Sequence, residues 1–269
     1  MGPPMDLRKH FRELHTTPFV IPNPWDVGSA RILASLGFQA LATSSAGFAN
    51  ALGRSDGGVT REEALEHARQ ISAATPLPVS ADFENGFGDA PEIVAETIAL
   101  ASRTGLAGCS IEDYGPEQGL YSKEFAAARV RAAVEASRKD SSPLVITARC
   151  ENFFRGNPDL ADAIARLQAY QEAGADVLYA PAIVALDDVR SVVAEVDRPL
   201  NVIIMPGGPN VPDLFEAGAT RVSIGSAMAA AAQDALVQAA REILDEGTHE
   251  FWARAVRSMG AVNAAFKTH

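Results

Sequence analysis

Acidic side chains follow three short apolar segments of the chain, and side chains of this type can support metal-ion chemistry. Five carboxylates and one arginine occupy these positions: Asp82, Glu84, Glu112, Asp113, Glu151 and Arg149. Like charges brought close together raise one another's pKa, so such a group needs protons or a cation. Oxygen ligands without imidazole or thiolate neighbours suit Mg2+ or Mn2+ better than Zn2+. The alternative is that some of these acids, above all Asp113 and Glu151, cap helices or pair with arginines.

Lysines and histidines do not occur at the ends of the apolar segments. They lie elsewhere in the chain, at Lys9, Lys123, Lys139, Lys267, His10, His15, His67, His249 and His269. A Schiff-base aldolase needs a buried amine nucleophile and a zinc aldolase needs histidine ligands, so both classes are disfavoured. Cys109 lies inside an apolar segment and is expected to be a core residue, whereas Cys150 could belong to the core or to the site.

Eight apolar segments of β type alternate with amphipathic helical segments and would have to position these side chains. The predicted strands are Phe19–Ile21, Ala40–Thr43, Pro78–Ala81, Gly108–Ile111, Leu144–Ala148, Val177–Tyr179, Leu200–Ile204 and Arg221–Ile224. Most are nearly continuous apolar runs, as expected of parallel strands covered on both faces. Eight β/α units favour an α/β fold, a (β/α)8 TIM barrel, with an open doubly wound sheet as the alternative. In such a barrel the carboxyl ends of the strands form the active site, so the acids and Arg149 would meet there.

Small residues follow the second predicted strand. They are Ser44, Ser45, Ala46 and Gly47. Their backbone N–H groups would be open to a carboxylate or an oxyanion, because no bulky side chain covers them.

Two helix starts can be predicted from the sequence. Thr60 with Glu63 fits a capping box, in which each side chain binds a free N–H group of the other residue. Asp89 and Pro91 are expected to begin the next helix.

The chain continues beyond the eighth β/α unit. The segment Glu250–Phe266 has apolar residues at helical spacing, which predicts an additional C-terminal helical segment over residues 249–269. Such a helix either caps the barrel or forms an interface. Because no linker or low-complexity tract interrupts the pattern, we expect a single barrel domain over residues 1–269.

The composition argues against several classes of partner. Lys and Arg number 23 against 34 Asp and Glu, and the formal net charge is −11. Nucleic acids and anionic membranes both require a basic surface, so neither is expected as a partner. No run approaches about 18 apolar residues, so no transmembrane helix is expected. With 2 cysteines in 269 residues, a disulfide scaffold is not expected and a cytoplasmic location is the simplest interpretation.

The segments between about Phe19 and Ala232 resemble the isocitrate lyase/phosphoenolpyruvate mutase superfamily. The similar stretches are, in order, NPWDVGSARILASLGFQAL, TSSAGFAN, ADFENGFGDAPE, CSIEDY, ITARCENF and YQEAGADVLYAP. The resemblance implies a (β/α)8 barrel whose last helix is exchanged between neighbouring subunits, in a homo-oligomer that is a dimer or a tetramer. It also implies Mg2+-dependent chemistry on an α-keto acid or its enolate, with Mn2+ as a possible substitute.

The resemblance assigns substrate contacts to two parts of the chain. The stretch from Ser44 to Gly47 matches the loop that holds the substrate carboxylate. Arg149 matches the arginine that clamps the substrate and its developing enolate. A guanidinium at that point can stabilise an enolate oxygen as negative charge forms there.

The resemblance also assigns the metal site. Asp82 matches the first acid of an Asp-x-Asp pair, and Glu84 replaces the second with a longer side chain of the same charge. Glu112 matches the glutamate of the metal shell. Asp56 matches the acid on the following loop that helps to hold the water shell of the metal.

Two segments depart from the superfamily pattern. Isocitrate and methylisocitrate lyases carry a Lys-Lys-Cys-Gly-His loop after the fourth strand, whereas this chain has Tyr114–Tyr121 without Lys, Cys or His. The Lys and Asn of the mutase loop are also missing, and Ala180–Pro181 replaces a Glu or His after the sixth strand. The chain is therefore predicted to be a Mg2+-dependent lyase or decarboxylase acting on a small α-keto or dicarboxylic acid. The alternatives are phosphonate P–C chemistry and a catalytically silent keto-acid-binding protein.

Overall fold

Eight parallel strands form a closed barrel in the computed structural model, which describes residues 5–267. The strands are β1 (Phe19–Ile21), β2 (Leu41–Ala42), β3 (Val79–Asp82), β4 (Gly108–Glu112), β5 (Val145–Arg149), β6 (Val177–Tyr179), β7 (Leu200–Ile203) and β8 (Arg221–Ser223). They pair in the order β1-β8-β7-β6-β5-β4-β3-β2, and the N–H of Ala42 donates to the carbonyl oxygen of Pro22 at 3.0 Å between the two outer strands. The predicted barrel is confirmed, and each strand boundary lies within one residue of its predicted position.

Helices surround the barrel. They are α1 (Leu7–Leu14), α2 (Val27–Ser35), α3 (Ser45–Ala51), α4 (Arg61–Ala73), α5 (Pro91–Ala101), α6 (Lys123–Ser137), α7 (Leu160–Glu172), α8 (Leu186–Glu195), α9 (Val211–Glu216), α10 (Ala227–Arg241) and α11 (Trp252–Lys267). A π-helical turn, Glu242–Glu246, extends α10. Residues 114–120, here called the β4 hairpin, pair Tyr114–Gly115 with Gly119–Leu120 in antiparallel fashion.

The C-terminal helical segment predicted from the sequence is present as α11. It packs against α2 of the same chain, where Phe266 approaches Gly28. Residues 1–4 of the predicted domain and residues 268–269 of the predicted segment lie outside the described residues. Within residues 5–267, no helix is both long and apolar enough to cross a membrane.

The two predicted helix starts have different outcomes. The capping box of α4 is confirmed, because the backbone N–H of Thr60 donates to Glu63 at 3.0 Å and that of Glu63 donates to Oγ1 of Thr60 at 3.3 Å. Helix α5 does begin at Pro91, but its N-cap is Ala90, without a side-chain cap. Asp89 lies one residue too early to cap this helix, and its carboxylate instead accepts a hydrogen bond from the hydroxyl of Tyr121.

The interior of the barrel is polar. TIM barrels usually fill this space with branched apolar side chains, whereas here Ser80, Thr147, Asn201 and Ser223 are buried polar residues. Arg221, at the start of β8, is also buried, and it is the register partner of Asn201 on β7. The interior can therefore accommodate charge, which an apolar filling would exclude.

Candidate active site

A cavity of about 140 Å3 opens at the carboxyl ends of the strands. Its walls include six of the residues predicted for the site, namely Ser44, Ser45, Ala46, Asp56, Asp82 and Arg149. Glu84, Glu112 and Gly47 do not line this cavity. Glu84 lines a neighbouring groove together with Gly57 and Glu117 of the β4 hairpin.

Arg149 lies at the centre of the acidic group. Its Nη1 is 3.6 Å from Oδ2 of Asp82 and 3.5 Å from Oε2 of Glu112, and its Nε donates to Oε1 of Glu151. Burial alone would lower the pKa of Arg149, but attraction to Glu112, Glu151 and Asp82 raises it well above its usual value. Arg149 is therefore a permanent positive charge in the wall of the cavity.

Asp82 is held in one orientation at the end of β3. Oγ of Ser45 donates to its Oδ2 at 2.9 Å, and the backbone N–H of Glu84 donates to its Oδ1 at 3.2 Å. Because both oxygens accept hydrogen bonds from fixed groups, the carboxylate is prearranged to bind a ligand from the cavity.

Glu84 has an unusual backbone conformation and an uncompensated charge. Its φ of 49° lies in the left-handed region, which is uncommon for a residue with a side chain. Within residues 5–267 its carboxylate has no hydrogen-bond or ion-pair partner. Burial, followed by repulsion from Asp82 and Asp56, raises the pKa of Glu84 to about 7, although Arg149 opposes the shift. A cation beside Asp82 and Glu84 would relieve this repulsion.

The donor set fits a hard cation that retains part of its water shell. Among the residues that the structure describes, no group of three or more His, Cys, Asp or Glu side chains forms a complete metal-binding cluster. Mg2+ is usually bound by one or two carboxylates, with water and substrate supplying the other ligands. Asp82 and Glu84 therefore fit Mg2+ or Mn2+ better than an ion that needs a full set of protein ligands.

Glu112 and Glu151 pair with arginines and do not line the cavity themselves. Burial raises the pKa of Glu112, and attraction to Arg149 only partly offsets this, while Glu151 adds repulsion. Arg155 approaches both acids, with its Nη2 3.5 Å from Oε1 of Glu112 and its Nε 3.0 Å from Oε2 of Glu151. Glu112 is thus engaged by two guanidinium groups, and its place in the metal shell stays a prediction.

Asp113 has a structural role. Its Oδ2 accepts hydrogen bonds from the hydroxyl of Tyr170 at 2.6 Å and from Nη1 of Arg166 at 3.1 Å, and its Oδ1 accepts one from the backbone N–H of Glu151 at 2.7 Å. The alternative assigned to Asp113 from the sequence, pairing with an arginine, is therefore confirmed. Cys150 is also buried, and burial raises the pKa of its thiol well above the usual value, so it behaves as a core residue like Cys109.

The stretch after β2 is a helix start and not an open loop. Ser44 is the N-cap of α3, and its Oγ accepts a hydrogen bond from the N–H of Gly47 at 3.2 Å. The N–H of Ser45 points to Oδ2 of Asp82 at 3.4 Å. The expectation that all these N–H groups are open to a ligand is wrong for Ser45 and Gly47, because the protein itself uses them.

Two arginines of the site were not identified from the sequence. Arg155, four residues after Glu151, also stacks on Tyr114 of the β4 hairpin, with 3.9 Å from its Cζ to the ring centroid. The spacing from Glu151 was the available signal, since side chains four residues apart in a helical turn can meet. Arg221 lines the cavity from below, and its signal was a charged residue inside a predicted strand.

Arg221 is a buried cation that has no carboxylate partner within the described part of the chain. Its Nε donates to Oδ1 of Asn201 at 2.8 Å and its Nη2 to Oγ1 of Thr147 at 3.1 Å, while its Nη1 lies 3.2 Å from Nε2 of His15. Burial lowers the pKa of Arg221 to about 10. Burial and the charge of Arg221 lower the pKa of His15 to about 3, so the imidazole is neutral and can accept the hydrogen bond.

The loop that carries Glu84 is held from outside by Arg129 of α6. This arginine is 1% exposed, and its guanidinium donates to the carbonyl oxygens of Asn85, Gly88 (2.7 Å) and Asp89. Its Cζ lies 4.5 Å from the ring centroid of Tyr121, whose hydroxyl accepts from Nδ2 of Asn85 at 3.0 Å and donates to Asp89. Arg129 and Tyr121 thus connect the β3–α5 loop to the end of the β4 hairpin.

Comparison with known proteins gives one matching family and several relatives. The model of the family described as phosphoenolpyruvate phosphomutase matches residues 11–244. A Burkholderia cenocepacia J2315 protein with the provisional name lyase/mutase has 46% sequence identity and a TM-score of 0.93, covering 97% of this chain and 96% of its own. The 2-methylisocitrate lyase of Shewanella oneidensis is 32% identical over 247 residues, 87% of this chain and 83% of its own. The oxaloacetate decarboxylase of Pseudomonas entomophila is 33% identical over 219 residues, 77% of this chain and 73% of its own.

Proposed function

The chain belongs to the phosphoenolpyruvate mutase/isocitrate lyase superfamily, and on that premise we propose that it is an enzyme that breaks a C–C bond in a small 2-oxo or dicarboxylic acid with Mg2+ or Mn2+ as cofactor. The observation that carries the proposal is the position of Arg149, whose Nη1 lies between Asp82 and Glu112 in the cavity wall. A guanidinium fixed there can stabilise the negative charge that develops on an enolate oxygen. The names of the relatives in Shewanella and Pseudomonas support this substrate class.

Asp82 and Glu84 would hold the cation, and Asp56 would bind its water shell from the cavity rim. The cation, when bound, would supply Lewis-acid stabilisation of a substrate oxygen. Glu112 would act indirectly, because it does not line the cavity but holds Arg149 and Arg155 in place. We assign the substrate carboxylate to the wall formed by Ser44, Ser45 and Ala46 at the start of α3.

Phosphonate P–C bond chemistry is the second candidate, and the match to the phosphomutase family model favours it. The two candidates share the part of the cavity that holds a 2-oxo acid. They differ in the group that leaves, which the β4 hairpin side of the site would contact. Arg155, stacked on Tyr114, is the cation available on that side.

Turnover measurements with defined acids test the proposal. The purified protein is assayed with Mg2+, and with EDTA as a control, against oxaloacetate, 2-methylisocitrate, isocitrate and phosphonopyruvate. Cleavage of one carboxylic acid that is lost with EDTA supports C–C bond cleavage, whereas cleavage of phosphonopyruvate supports the second candidate. Binding of 2-oxoglutarate without any turnover would identify a catalytically silent binding protein. A protein that neither binds nor cleaves any of these acids would contradict the assignment of the cavity.

We also propose that the chain is one barrel domain that assembles into a homo-oligomer, a dimer or a tetramer, in the cytoplasm. Large apolar side chains near the C-terminus are exposed in the single chain, with Leu236 69%, Leu244 83% and Val256 63% exposed. A contact between subunits would remove these surfaces from water. Light scattering coupled to size-exclusion chromatography should give a mass of two or four chains, and a monomer at micromolar concentration would contradict the proposal.

A further inference from the structure

The proposed reaction needs a proton donor, and the inference here rests on that proposed function. Breaking a C–C bond beside a 2-oxo group leaves an enolate, whose carbon must then be protonated. Among the described residues that line the cavity there is no lysine, histidine or cysteine. Its two carboxylates are Asp56 at the rim and Asp82, which is assigned to the cation.

Tyr179, the last residue of β6, contributes a phenol to this wall. It is 9% exposed and lines the cavity together with Arg149 and Ser223. The Cζ of Arg149 lies 5.4 Å from the centroid of its ring, and the two residues are register partners on neighbouring strands. The hydroxyl of Tyr179 therefore belongs to the same wall as the guanidinium that would stabilise the enolate.

Some neighbours of Tyr179 favour a phenolate, although burial and repulsion from Glu151 and Asp82 oppose it. Ser223 lies in the same cavity wall and favours the charged form of the Tyr179 phenol, and Nδ2 of Asn201 donates to Oγ of Ser223 at 2.9 Å. Asn201 in turn accepts from Nε of Arg221 at 2.8 Å. Tyr179 is thus flanked by the cations Arg149 and Arg221, both of which attract a negative charge at its oxygen.

The proposed role of Tyr179 also explains why Arg221 is buried without a carboxylate partner among the described residues. A buried guanidinium without an acid is costly, because charge is poorly solvated inside a protein. A phenolate that forms only during the reaction would be its counter-charge, connected through Asn201 and Ser223. Interactions that strengthen as charge develops lower the barrier of the step that creates the charge.

We propose that Tyr179 is the catalytic proton donor of this enzyme, with Ser223 and Arg221 as residues that stabilise its phenolate. In decarboxylation the C–C bond to the carboxylate breaks, CO2 leaves, and the electron pair of that bond remains in the enolate. The O–H of Tyr179 then gives its proton to the enolate carbon, forming a C–H bond and leaving the phenolate. After product leaves, water returns a proton to the phenolate, so each turnover consumes one proton from solvent. Burial raises the pKa of Tyr179 to about 12, so the phenol carries its proton at neutral pH before each turnover.

The test uses 3-methyloxaloacetate in D2O with Mg2+, after subtraction of the protein-free reaction. Decarboxylation yields 2-oxobutyrate, and a fixed donor places deuterium at C3 in one configuration only. Tyr179→Phe should lower kcat at least about a hundredfold, as expected for loss of a general acid, and its residual product should carry deuterium in both configurations. Its dissociation constant for oxalate, measured by calorimetry with Mg2+, should remain within about twofold of that of the unmodified protein, because a proton donor is not a binding residue.

A buried-tyrosine control separates this role from packing. Tyr170→Phe removes a phenol that binds Asp113 outside the cavity, and it should keep both kcat and the single configuration. Ser223→Ala retains the phenol but removes a hydroxyl that favours its phenolate, so kcat should fall about tenfold with the configuration retained. This variant also keeps the test decisive if Tyr179→Phe does not fold.

Other outcomes would overturn the assignment. The assignment of Tyr179 is wrong if Tyr179→Phe keeps both kcat and configuration or loses oxalate binding. It is also wrong if Ser223→Ala keeps its kcat. Each of these results leaves the proposed function intact. If the unmodified protein cleaves another acid of the panel but not 3-methyloxaloacetate, kcat of Tyr179→Phe is measured with that acid, and an unchanged kcat overturns the assignment. Absence of both binding and turnover with every acid would overturn the proposed function and this inference together.

Discussion

Oγ of Ser45 donates a hydrogen bond of 2.9 Å to Oδ2 of Asp82 and thereby joins the first turn of α3 to the end of β3. The two ends serve different parts of the proposed site, one facing the substrate carboxylate and the other facing the cation. The same carboxylate oxygen also lies 3.6 Å from Nη1 of Arg149. A substitution at Ser45 should therefore alter the binding of both the cation and the substrate.

Ser45→Ala should weaken Mg2+ binding about fivefold, because a hydrogen bond of this kind contributes about 1 kcal/mol. Its loss frees the Asp82 carboxylate to rotate toward Arg149. The dissociation constant is measured by calorimetric titration with MgCl2. Ser191→Ala, which removes a hydroxyl on α8 far from the cavity, is the matched control and should bind Mg2+ like the unmodified protein. Equal affinities for Ser45→Ala and the control would show that Ser45 does not orient Asp82.

Glu84 should make the metal-free protein less stable as the pH rises. Its folded pKa of about 7 lies above its ordinary value of 4.5, so the folded chain binds this proton more tightly than the unfolded chain. The contribution to the free energy of unfolding is therefore full below about pH 4.5 and is lost as the pH rises through 7. Glu84→Gln replaces this carboxyl with an amide that does not titrate, so its pH-dependent contribution is lost.

Urea unfolding of both proteins without divalent cations, at intervals from pH 5 to pH 8, checks the sign. The free energy of unfolding of the unmodified protein, minus that of Glu84→Gln, should decrease across this range. Saturating Mg2+ should reverse the trend, since the cation binds the charged carboxylate. Parallel curves for the two proteins would rule out a raised pKa at Glu84.

Arg149→Lys should weaken the binding of 2-oxoglutarate at least tenfold with Mg2+ present, because a lysine cannot reproduce the forked contacts of a guanidinium. Lysine is preferable to alanine, since removal of the charge would leave Glu112 and Glu151 short of a cation and cost several kcal/mol of stability. Arg166→Lys alters a buried, ion-paired arginine outside the cavity and serves as control. A calorimetric titration in which both variants bind equally well would remove the clamp role of Arg149.

Arg129→Met should weaken Mg2+ binding about tenfold, although Arg129 touches neither the cation site nor the cavity. Without its hydrogen bonds to three carbonyl oxygens, the β3–α5 loop is free to leave the conformation that gives Glu84 its left-handed φ. Arg131→Met changes an exposed arginine on the same helix and should leave the affinity unchanged. Circular dichroism of both variants verifies folding, and an unaltered Mg2+ titration for a folded Arg129→Met would contradict the positioning role.

The barrel could be predicted from the sequence because continuous apolar runs and regular alternation determine strands and their parallel arrangement. Asp82 and Arg149 could be predicted for the same reason, since the ends of parallel strands meet by topology. Ser44 was harder, because the capping of α3 depends on a hydrogen bond across one turn that small residues allow but do not require. The superfamily resemblance placed Glu112 in the metal shell, and this stays a prediction; its pairing with Arg149 and Arg155 could not be predicted from the sequence.

Arg155, Arg221 and Asp89 illustrate what the sequence pattern does not contain. The contact of Arg155 with Tyr114 joins segments about forty residues apart, and that of Arg221 with Thr147 joins the non-adjacent strands β8 and β5. The position of Asp89 predicted a helix cap, but its carboxylate accepts a hydrogen bond from the hydroxyl of Tyr121 instead. Such choices depend on which distant partner the closed barrel brings near, and local spacing carries no information about it.

The β4 hairpin is attached at both of its ends. At the start, Asp113 is fixed by Tyr170 and Arg166; at the finish, the N–H of Tyr121 donates to the carbonyl oxygen of Asp113 at 2.9 Å and its hydroxyl binds Asp89. These contacts fix the two ends of the hairpin, and the tip around Glu117 lies between them. If the leaving group binds on this side as proposed, substitutions at the tip would change which leaving group fits, without altering the contacts that hold Asp82, Arg149 and Arg155.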